Sequence, residues 1–493
     1  MLRIRTSSGR SLSVTGEHRI PVKTDDGMVI RRADEVRAGD TLYGIPETDA
    51  IRGETIEAID LVRELSASVP PHLLENVYVR GAGDIFAGVV QTGKASSYTD
   101  ISRALGVEHQ EQWYTRGIMP ITHFAALSHH YGIEDYGEVT IGSTGSGDEL
   151  PAILTLTPEL IRLLGFFTAE GNYNASPGAR QYNPGIAWIA QALAIQEAAT
   201  LTGGSPDTET IYWIKAVRSR AIEVTPGGEL NHLLFRYVFG IPEGAAGKRL
   251  PGIVYHINDL LLHEFLSALF TGGGSVYYRP GKPDCFVNYA TTSPVLRQEL
   301  SLLLATLGIT HRIVETCDEE GRPEFYRVEF TGREEIEALA RYATFLDDRQ
   351  DHIDGFLSAV KEGEREEQNE TVVGVLPVES TGEYVYDLFL VGDGTEESHT
   401  FYASDGLLIH NCQDWDLRYF FYYGLMPDGN GTKASVAGPA KRAEVAVLHA
   451  VKALGSAQTN FAGGQGYYNF LTFMAPFLEG MEYEEVKQLM QMF

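Results

Sequence analysis

An internal repeat constrains this chain more than any other feature. Residues 163–171 read LLGFFTAEG, and residues 266–276 read LSALFTGGGSV. Each copy has two small residues four positions apart, a spacing that puts both on one helix face and lets a second helix approach closely. The repeat therefore predicts two apolar helices packed against each other. The small residues are Gly165, Ala169, Ala268 and Gly272.

The ends of these predicted helices differ chemically. Thr157 followed by Pro158 predicts the start of the first helix. Glu170 lies in its last turn, where a negative charge opposes the helix dipole and costs a few tenths to about 1 kcal/mol unless a cation is nearby. Two buried helices with glycine ends would explain the apolar positions but not this carboxylate. The second copy has Gly273 at the corresponding position.

The N-terminal part of the chain alternates in the manner of short strands separated by turns. Residues 2–5, 12–15, 20–22 and 28–30 follow this pattern. Thr15 and His18 lie three residues apart at a strand end, so both side chains could point at one backbone carbonyl. A turn with a surface histidine is the plainer interpretation.

Residues 410–412 have side chains that can cleave the peptide bond between Asn411 and Cys412. The side-chain amide of Asn411 can attack its own main-chain carbonyl, which closes a succinimide and releases the amine of Cys412. His410 is placed to donate a proton or to polarise that carbonyl. Because any three-residue string recurs by chance, the triplet gains meaning only from the rest of the chain.

The two ends together resemble an intein, a member of the Hedgehog/intein (Hint) splicing fold. The resemblance rests on residues 9–18, 38–40, 384–388, 399–403 and 406–412. It implies that Thr15 and His18 activate the upstream splice bond. It implies further that Asp387 and His399 assist the branched intermediate and asparagine cyclisation, that Asn411 ends the intein, and that Cys412 begins the downstream host protein.

Inteins begin with a Cys or Ser nucleophile, but no cysteine precedes Thr15 in this sequence, and Ser7 and Ser8 lie in a predicted turn, where we do not expect them to replace it. A truncated gene model, a split intein that needs a separate N-terminal fragment, and a decayed element are three explanations. In each case we expect at most asparagine cyclisation at the C-terminal junction, with release of the downstream piece.

The helix repeat resembles the LAGLIDADG motif of homing endonucleases. In that family's order, residues 248–251 precede the second copy, and residues 288–293 and 302–309 follow it. The resemblance implies that Glu170 holds Mg²⁺ for phosphodiester hydrolysis and that Lys248 is the family's basic residue. The partner would be double-stranded DNA, the host-gene site without the intein. Because Gly273 replaces the second acid, we expect weak or absent double-strand cleavage, or nicking. Glu299 or Asp284 could compensate.

Residues 98–120 suggest two short helices around a glycine turn, which resembles a helix-turn-helix. Gln110, Gln112 and Arg116 would then contact DNA. Two ordinary packed helices explain the pattern equally well, since Glu108 and Glu111 would repel phosphate. Residues 140–147 (TIGSTGSG) are typical of a linker.

Residues 412–493 resemble part of an anaerobic ribonucleoside-triphosphate reductase. In that family a cysteine near Cys412 takes part in thiol redox chemistry at the ribose. The segment stops before the family's thiyl-radical cysteine and glycyl-radical region, so we expect no ribonucleotide reduction by this chain alone.

Charge limits the partners. The formal net charge is −28 and the pI about 4.9, which opposes nucleic-acid binding at ordinary salt. The 39 basic residues include only 10 Lys, a composition that resembles proteins of salt-loving archaea. At about 1 M salt the Debye length is only about 3 Å, so repulsion largely disappears. Three dispersed cysteines argue against disulfides or zinc, and no signal peptide is evident, so a cytoplasmic location is expected.

These patterns predict an α+β multidomain chain. A mostly β splicing domain, with an incomplete N-terminal part (1–52) and a C-terminal part (366–411), would be interrupted by a helix-turn-helix-like insert (53–147) and an αβ LAGLIDADG domain (148–365). A mainly α reductase fragment (412–493) would follow. A reductase fragment acting as an oxidoreductase and a DNA-binding protein with an inactive endonuclease are the alternative functions.

Overall fold

The computed structural model describes residues 1–144, 149–174, 185–190, 215–217, 221–224, 229–279, 284–318, 320, 323–359, 369–379, 400–403 and 405–410. Its strands are β1 Leu2–Thr6, β2 Ser11–Val14, β3 Arg19–Thr24, β4 Gly27–Arg32, β5 Thr41–Leu42, β6 Ala58–Asp60, β7 Val77–Arg80, β8 Met119–Pro120, β9 Thr140–Ser143, β10 Glu149–Pro151, β11 Ile153–Thr155, β12 Asn172–Asn174, β13 Gly185–Ala190, β14 Lys215–Val217, β15 Ala221–Val224, β16 Gly274–Tyr278, β17 Cys285–Thr291, β18 Arg312–Cys317, β19 Pro323–Phe330, β20 Glu370–Pro377, β21 Thr400–Ala403 and β22 Leu407–His410.

Its helices are α1 Leu61–Ser68, α2 Gly83–Gln91, α3 Tyr98–Ala104, α4 Glu111–Arg116, α5 Ile121–Tyr131, α6 Pro158–Glu170, α7 Glu229–Leu233, α8 Asp259–Gly273, α9 Pro294–Thr306, α10 Arg333–Ala340 and α11 Arg349–Ala359. Short 3₁₀ turns lie at Pro71–Leu73, Ala245–Gly247 and Gly252–His256, and a π-helical turn at Leu234–Val238. None of the helices in these ranges is both long and apolar enough to cross a membrane.

Both ends of the described chain build one sheet, the terminal sheet, from β1–β5 and β20–β22. The strand order is β2-β1-β20-β5-β3-β22-β21, with β4 paired to β3. The short strands expected at the N-terminus are present because alternate residues face a small core of their own. That core holds Ile4, Leu12, Val14, Ile20, Val22, Ala33, Val36, Leu42, Val372, Leu407 and Ile409.

The middle unit, residues 58–155, contains α1–α5, a sheet of order β10-β9-β7-β8 and the β6–β11 pair. The linker expected at residues 140–147 is wrong for residues 140–143. That stretch is β9, which pairs with both β7 and β10. Ile141 is completely buried there, and Gly142 lies against the Arg80 side chain. Tertiary pairing thus overrides the turn-like composition of these small residues.

The helix-pair module, within residues 157–359, is organised around α6 and α8. The Thr157 hydroxyl accepts from the backbone N–H of Leu160 at 3.3 Å and begins α6 as predicted. After α8 the chain forms an antiparallel sheet of order β16-β17-β19-β18. One hydrophobic core runs from Ile59 in the middle unit to Phe356 in this module. The fold therefore mixes α and β elements, as expected.

Candidate functional site

The two repeat helices cross at their small residues. A Cβ atom on Gly165 would lie 2.4 Å from the carbonyl oxygen of Phe265 and 2.8 Å from Cβ of Ala268. Further along, a Cβ atom on Gly272 would lie 2.6 Å from Cβ of Ala169. Glycine at 165 and 272 is what permits this approach, because any larger residue would force the helices apart.

Glu170 and Lys248 lie together at the C-terminal end of α6. Lys248 is buried, and its Nζ donates to the Ala169 carbonyl at 2.6 Å, so a cation does cap this helix end. Burial lowers the pKa of Lys248 to about 8, against the opposing effect of the Glu170 charge. The pKa of Glu170 is raised, because the surrounding protein disfavours its charged form more than the nearby Lys248 favours it. The outer side of the Glu170 side chain is exposed.

The C-terminal end of α8 is built differently. A Cβ atom on Gly273 would lie 2.6 Å from Cε2 of Tyr289, so the tyrosine ring fills the space that a side chain would need. Tyr289 is only 1% exposed. Burial raises the pKa of Tyr289 and the nearby Glu170 raises it further, so its hydroxyl stays protonated. The position expected to carry a second acid is thus occupied by a neutral aromatic ring.

Arg349 caps α8 in the way that Lys248 caps α6. It donates to the carbonyls of Thr271 at 2.5 Å and Gly274 at 2.6 Å. Asp347 forms an ion pair with this guanidinium at 2.5 Å. At both helix ends, therefore, a cationic side chain donates to backbone carbonyls. At the end of α8, however, the nearby acid Asp347 is already paired with Arg349.

The acids considered as substitutes for the missing carboxylate have other partners. Glu299 accepts from Arg249 at 2.6 Å and from the backbone N–H of Leu250 at 2.8 Å. Asp284 lies 3.7 Å from Arg279. Within the described part of the chain, no three His, Cys, Asp or Glu residues are grouped to hold a metal ion. Of the two motif positions, only that of Glu170 carries a carboxylate that could hold a metal ion.

One face of the β16–β19 sheet has exposed polar side chains on its edge strands, whereas Asn288 and Glu329 on the central strands of that face are buried. Ser275, Tyr277 and Arg312 are exposed on it, and they alternate with residues that face the core. The guanidinium of Arg279 lies 5.5 Å from the centre of the Tyr277 ring. Arginines exposed on a sheet can contact phosphate oxygens without reading sequence.

Three residues of the expected peptide-cleavage chemistry meet at one corner of the terminal sheet. The His18 backbone N–H donates to the Thr15 carbonyl at 3.1 Å and closes a turn just before β3. Arg19, which begins β3, pairs with His410 at the end of β22. His18 and His410 are buried, at 8% and 0% exposure. Four further expected site residues, Asp387, His399, Asn411 and Cys412, lie outside the described residues.

Helices α3 and α4 occur where a helix-turn-helix was expected. Gln112 and Arg116 are exposed on α4, and Gln110 lies just before it. However, α4 has only 6 residues, and its Tyr114 packs inward against Phe86 with ring centroids 5.2 Å apart. DNA recognition by these side chains stays a prediction.

Sequence reasoning missed Tyr289 and Arg349. The inward register of β17 could have indicated that Tyr289 faces the helices, but nothing local connects it with Gly273. Arg349 lies in an acidic stretch, DDRQD, whose composition is typical of an exposed surface segment. Both residues reach the helix ends only through tertiary packing.

Two family models match parts of the chain. Residues 261–343 match the LAGLIDADG-like domain. Residues 395–493 match the anaerobic ribonucleoside-triphosphate reductase family.

Archaeal relatives match larger portions at low identity. The DNA polymerase II large subunit of Thermococcus kodakarensis is 25% identical over 311 residues, which cover 63% of this chain and 16% of that protein. The same subunit of Haloquadratum walsbyi is 21% identical over 364 residues, 67% of this chain and 15% of the relative. An uncharacterized protein of Methanocaldococcus jannaschii is 19% identical over 428 residues, 85% and 45% of the two chains. The chain thus spans less than half the length of each.

Solved structures similar to part of this chain include two proteins bound to DNA targets. I-SmaMI, bound to an uncleaved DNA target in the presence of calcium ions, is 10% identical with a TM-score of 0.26, covering 41% of this chain and 90% of that one. The LAGLIDADG homing endonuclease I-GzeII, in complex with its DNA target, is 8% identical with a TM-score of 0.29, covering 41% and 89%.

Proposed function

We propose that residues 1–411 are part of a protein-splicing element that interrupts an anaerobic ribonucleoside-triphosphate reductase and carries a DNA-binding endonuclease-type module. The observation that carries this proposal is the pairing of His410 with Arg19 in a sheet built from both ends of the element. A splicing element must bring its two ends together, because the bonds that it cuts lie at those ends.

The comparisons support an inserted element. A segment that recurs in DNA polymerase II large subunits, joined here to a segment that matches a reductase family, is what insertion into different host proteins would produce. Such relatives would share the insert and differ in everything around it. This accounts for a match that covers 63% of this chain but only 16% of the polymerase subunit.

The cleavage that we propose occurs between Asn411 and Cys412. The Asn411 side-chain nitrogen forms a bond to its own backbone carbonyl carbon, and the peptide bond to Cys412 breaks. A proton reaches the departing amine, and a C-terminal succinimide remains. His410 would supply or relay that proton, with His399 assisting and Asp387 supporting the preceding branched intermediate.

Splicing at the upstream bond would need a leading nucleophile supplied by a separate fragment. Thr15 and His18 would then polarise that bond through the turn that precedes β3. In that case Cys412 would accept the acyl chain and would serve the reductase afterwards.

The helix-pair module would bind double-stranded DNA at the host-gene site that lacks the element. The exposed Arg279 and Arg312 of the β16–β19 sheet would contact phosphates, and the acidic protein as a whole would bind best where salt screens repulsion. A magnesium ion held by Glu170 would neutralise charge on a phosphate. Because Gly273 contributes no carboxylate, we propose that cleavage is confined to one strand or is absent.

Replacing Asn411 tests the central step. The full chain should divide into residues 1–411 and 412–493, and Asn411→Ala should stay intact on a denaturing gel. Equal release from Asn411→Ala would show that proteolysis, not cyclisation, divides the chain.

A further inference from the structure

Helix α9 of the helix-pair module contacts the turn that leads into β22. Arg297 on α9 forms an ion pair with Asp405, and the two side chains are only 13% and 3% exposed. Asp405 also accepts the backbone N–H of Ser11 at 2.9 Å. One buried carboxylate therefore joins the module to both ends of the terminal sheet.

The residue after Asp405 extends this contact. The Gly406 carbonyl accepts from the Ile45 backbone N–H at 2.8 Å. Gly406 has a φ of +79°, and a Cβ atom on it would lie 3.4 Å from Cδ1 of Leu302 on α9. The turn is therefore held between the β5 segment and the helix.

A second, separate contact joins the module to the terminal sheet. The Ile313 backbone N–H donates to the Ser8 carbonyl at 2.7 Å. A Cβ atom on Gly9 would lie 1.9 Å from the Ile313 carbonyl oxygen, which shows how closely this turn meets β18. Losing the Arg297 contact would therefore leave the sheet attached to the module while removing the support that α9 gives to the turn at Asp405.

Removing Arg297 would leave the Asp405 charge buried without its cation, and breaking such a pair is strongly unfavourable. The turn would have to move to hydrate that carboxylate. Because β22 begins two residues later and ends at His410, such a shift would reach the residue next to Asn411. Displacements of about 1 Å at a reacting group can slow a reaction by about a hundredfold.

We propose that Arg297 is a positioning residue for peptide cleavage, so that the LAGLIDADG-like region forms part of the support for the C-terminal splice junction. This inference rests on the proposed cleavage at Asn411. The helix-pair module would then contribute to the structure of the splice junction as well as to DNA binding.

The test compares release of residues 412–493 from the full chain with amide exchange in Leu407–His410. Arg297→Met should slow release by about tenfold or more and speed exchange, because the strand loses its anchor. Arg297→Lys, which restores a cation opposite Asp405, should recover most of the rate. The control, Arg249→Met, breaks the exposed ion pair with Glu299 on the same helix and should behave as the parent chain.

If Arg297→Met released residues 412–493 and exchanged its Leu407–His410 amides at the rates of the parent chain, the inference would be overturned. If Arg297→Met does not fold, the Arg297→Met/Asp405→Asn variant removes the unpaired charge, and we expect it to fold but still to release slowly. Wild-type release from that folded double variant would also overturn the inference. Absence of release from the parent chain would instead refute the proposed cleavage, and the exchange rates would still decide whether Arg297 holds β22.

Discussion

The ring of Tyr289 lies against Gly273 and within the electrostatic influence of Glu170. Two of its ring carbons would be 2.6 and 3.1 Å from a Cβ atom at position 273, and the Glu170 charge contributes to the raised pKa of Tyr289. The two repeat copies are therefore unequal in packing as well as in sequence. A carboxylate cannot be restored at position 273 without moving the ring.

Gly273→Asp should therefore destabilise the protein by about 1–3 kcal/mol through overpacking. Adding Tyr289→Ala should remove the clash, so the double variant should lose less stability than the sum of the single variants. Urea denaturation of the four proteins measures this coupling. Additive losses would show that the ring does not restrict position 273.

Gly165→Ala should also destabilise, by about 1–3 kcal/mol, because the added methyl would meet the Phe265 carbonyl oxygen 2.4 Å away. Gly88→Ala is the matched control. Gly88 lies inside α2 with no atom within 4 Å of its would-be Cβ, so alanine there should stabilise by about 0.5–1 kcal/mol. Thermal unfolding compares the two, and equal effects would contradict the close helix crossing.

Lys248 should make stability rise with pH. Its folded-state pKa of about 8 is below the ordinary 10.5, so between these values the unfolded chain binds the proton more often. Stability gained from this group is therefore absent below about pH 8 and complete above about pH 10.5. Lys248→Met should remove this gain, measured as the difference between the two proteins in urea unfolding at about pH 7.5 and about pH 10. If the stability of the two proteins changed equally with pH, the pKa of Lys248 would not be lowered in the folded state.

Magnesium-dependent cleavage of the uninterrupted reductase-gene site should be limited to one strand or absent, because one of the two motif positions has no carboxylate. Any nicking should be lost in Glu170→Gln while DNA binding persists. Denaturing electrophoresis with each strand labelled separately measures this. Efficient cutting of both strands would contradict the asymmetric site.

Features that depend on local spacing could be predicted from the sequence. The small residues of the repeat indicated the helix crossing, and the unfavourable dipole position of Glu170 indicated a cation, which the structure provides in Lys248. Features assembled from distant segments could not be predicted. Tyr289 reaches Gly273 from β17, and Asp405 meets Arg297, which lies 108 residues earlier in the chain. Likewise, strand pairing on both sides decided the structure of residues 140–143.

The most direct test of the central claim is the mass of the fragment released from the full chain. Asparagine cyclisation predicts a fragment of residues 1–411 that is lighter by one water than the hydrolysed product, together with residues 412–493 beginning at Cys412. Asn411→Ala should give neither mass. A fragment ending in a free acid from the outset, or the same fragments from Asn411→Ala, would contradict the account.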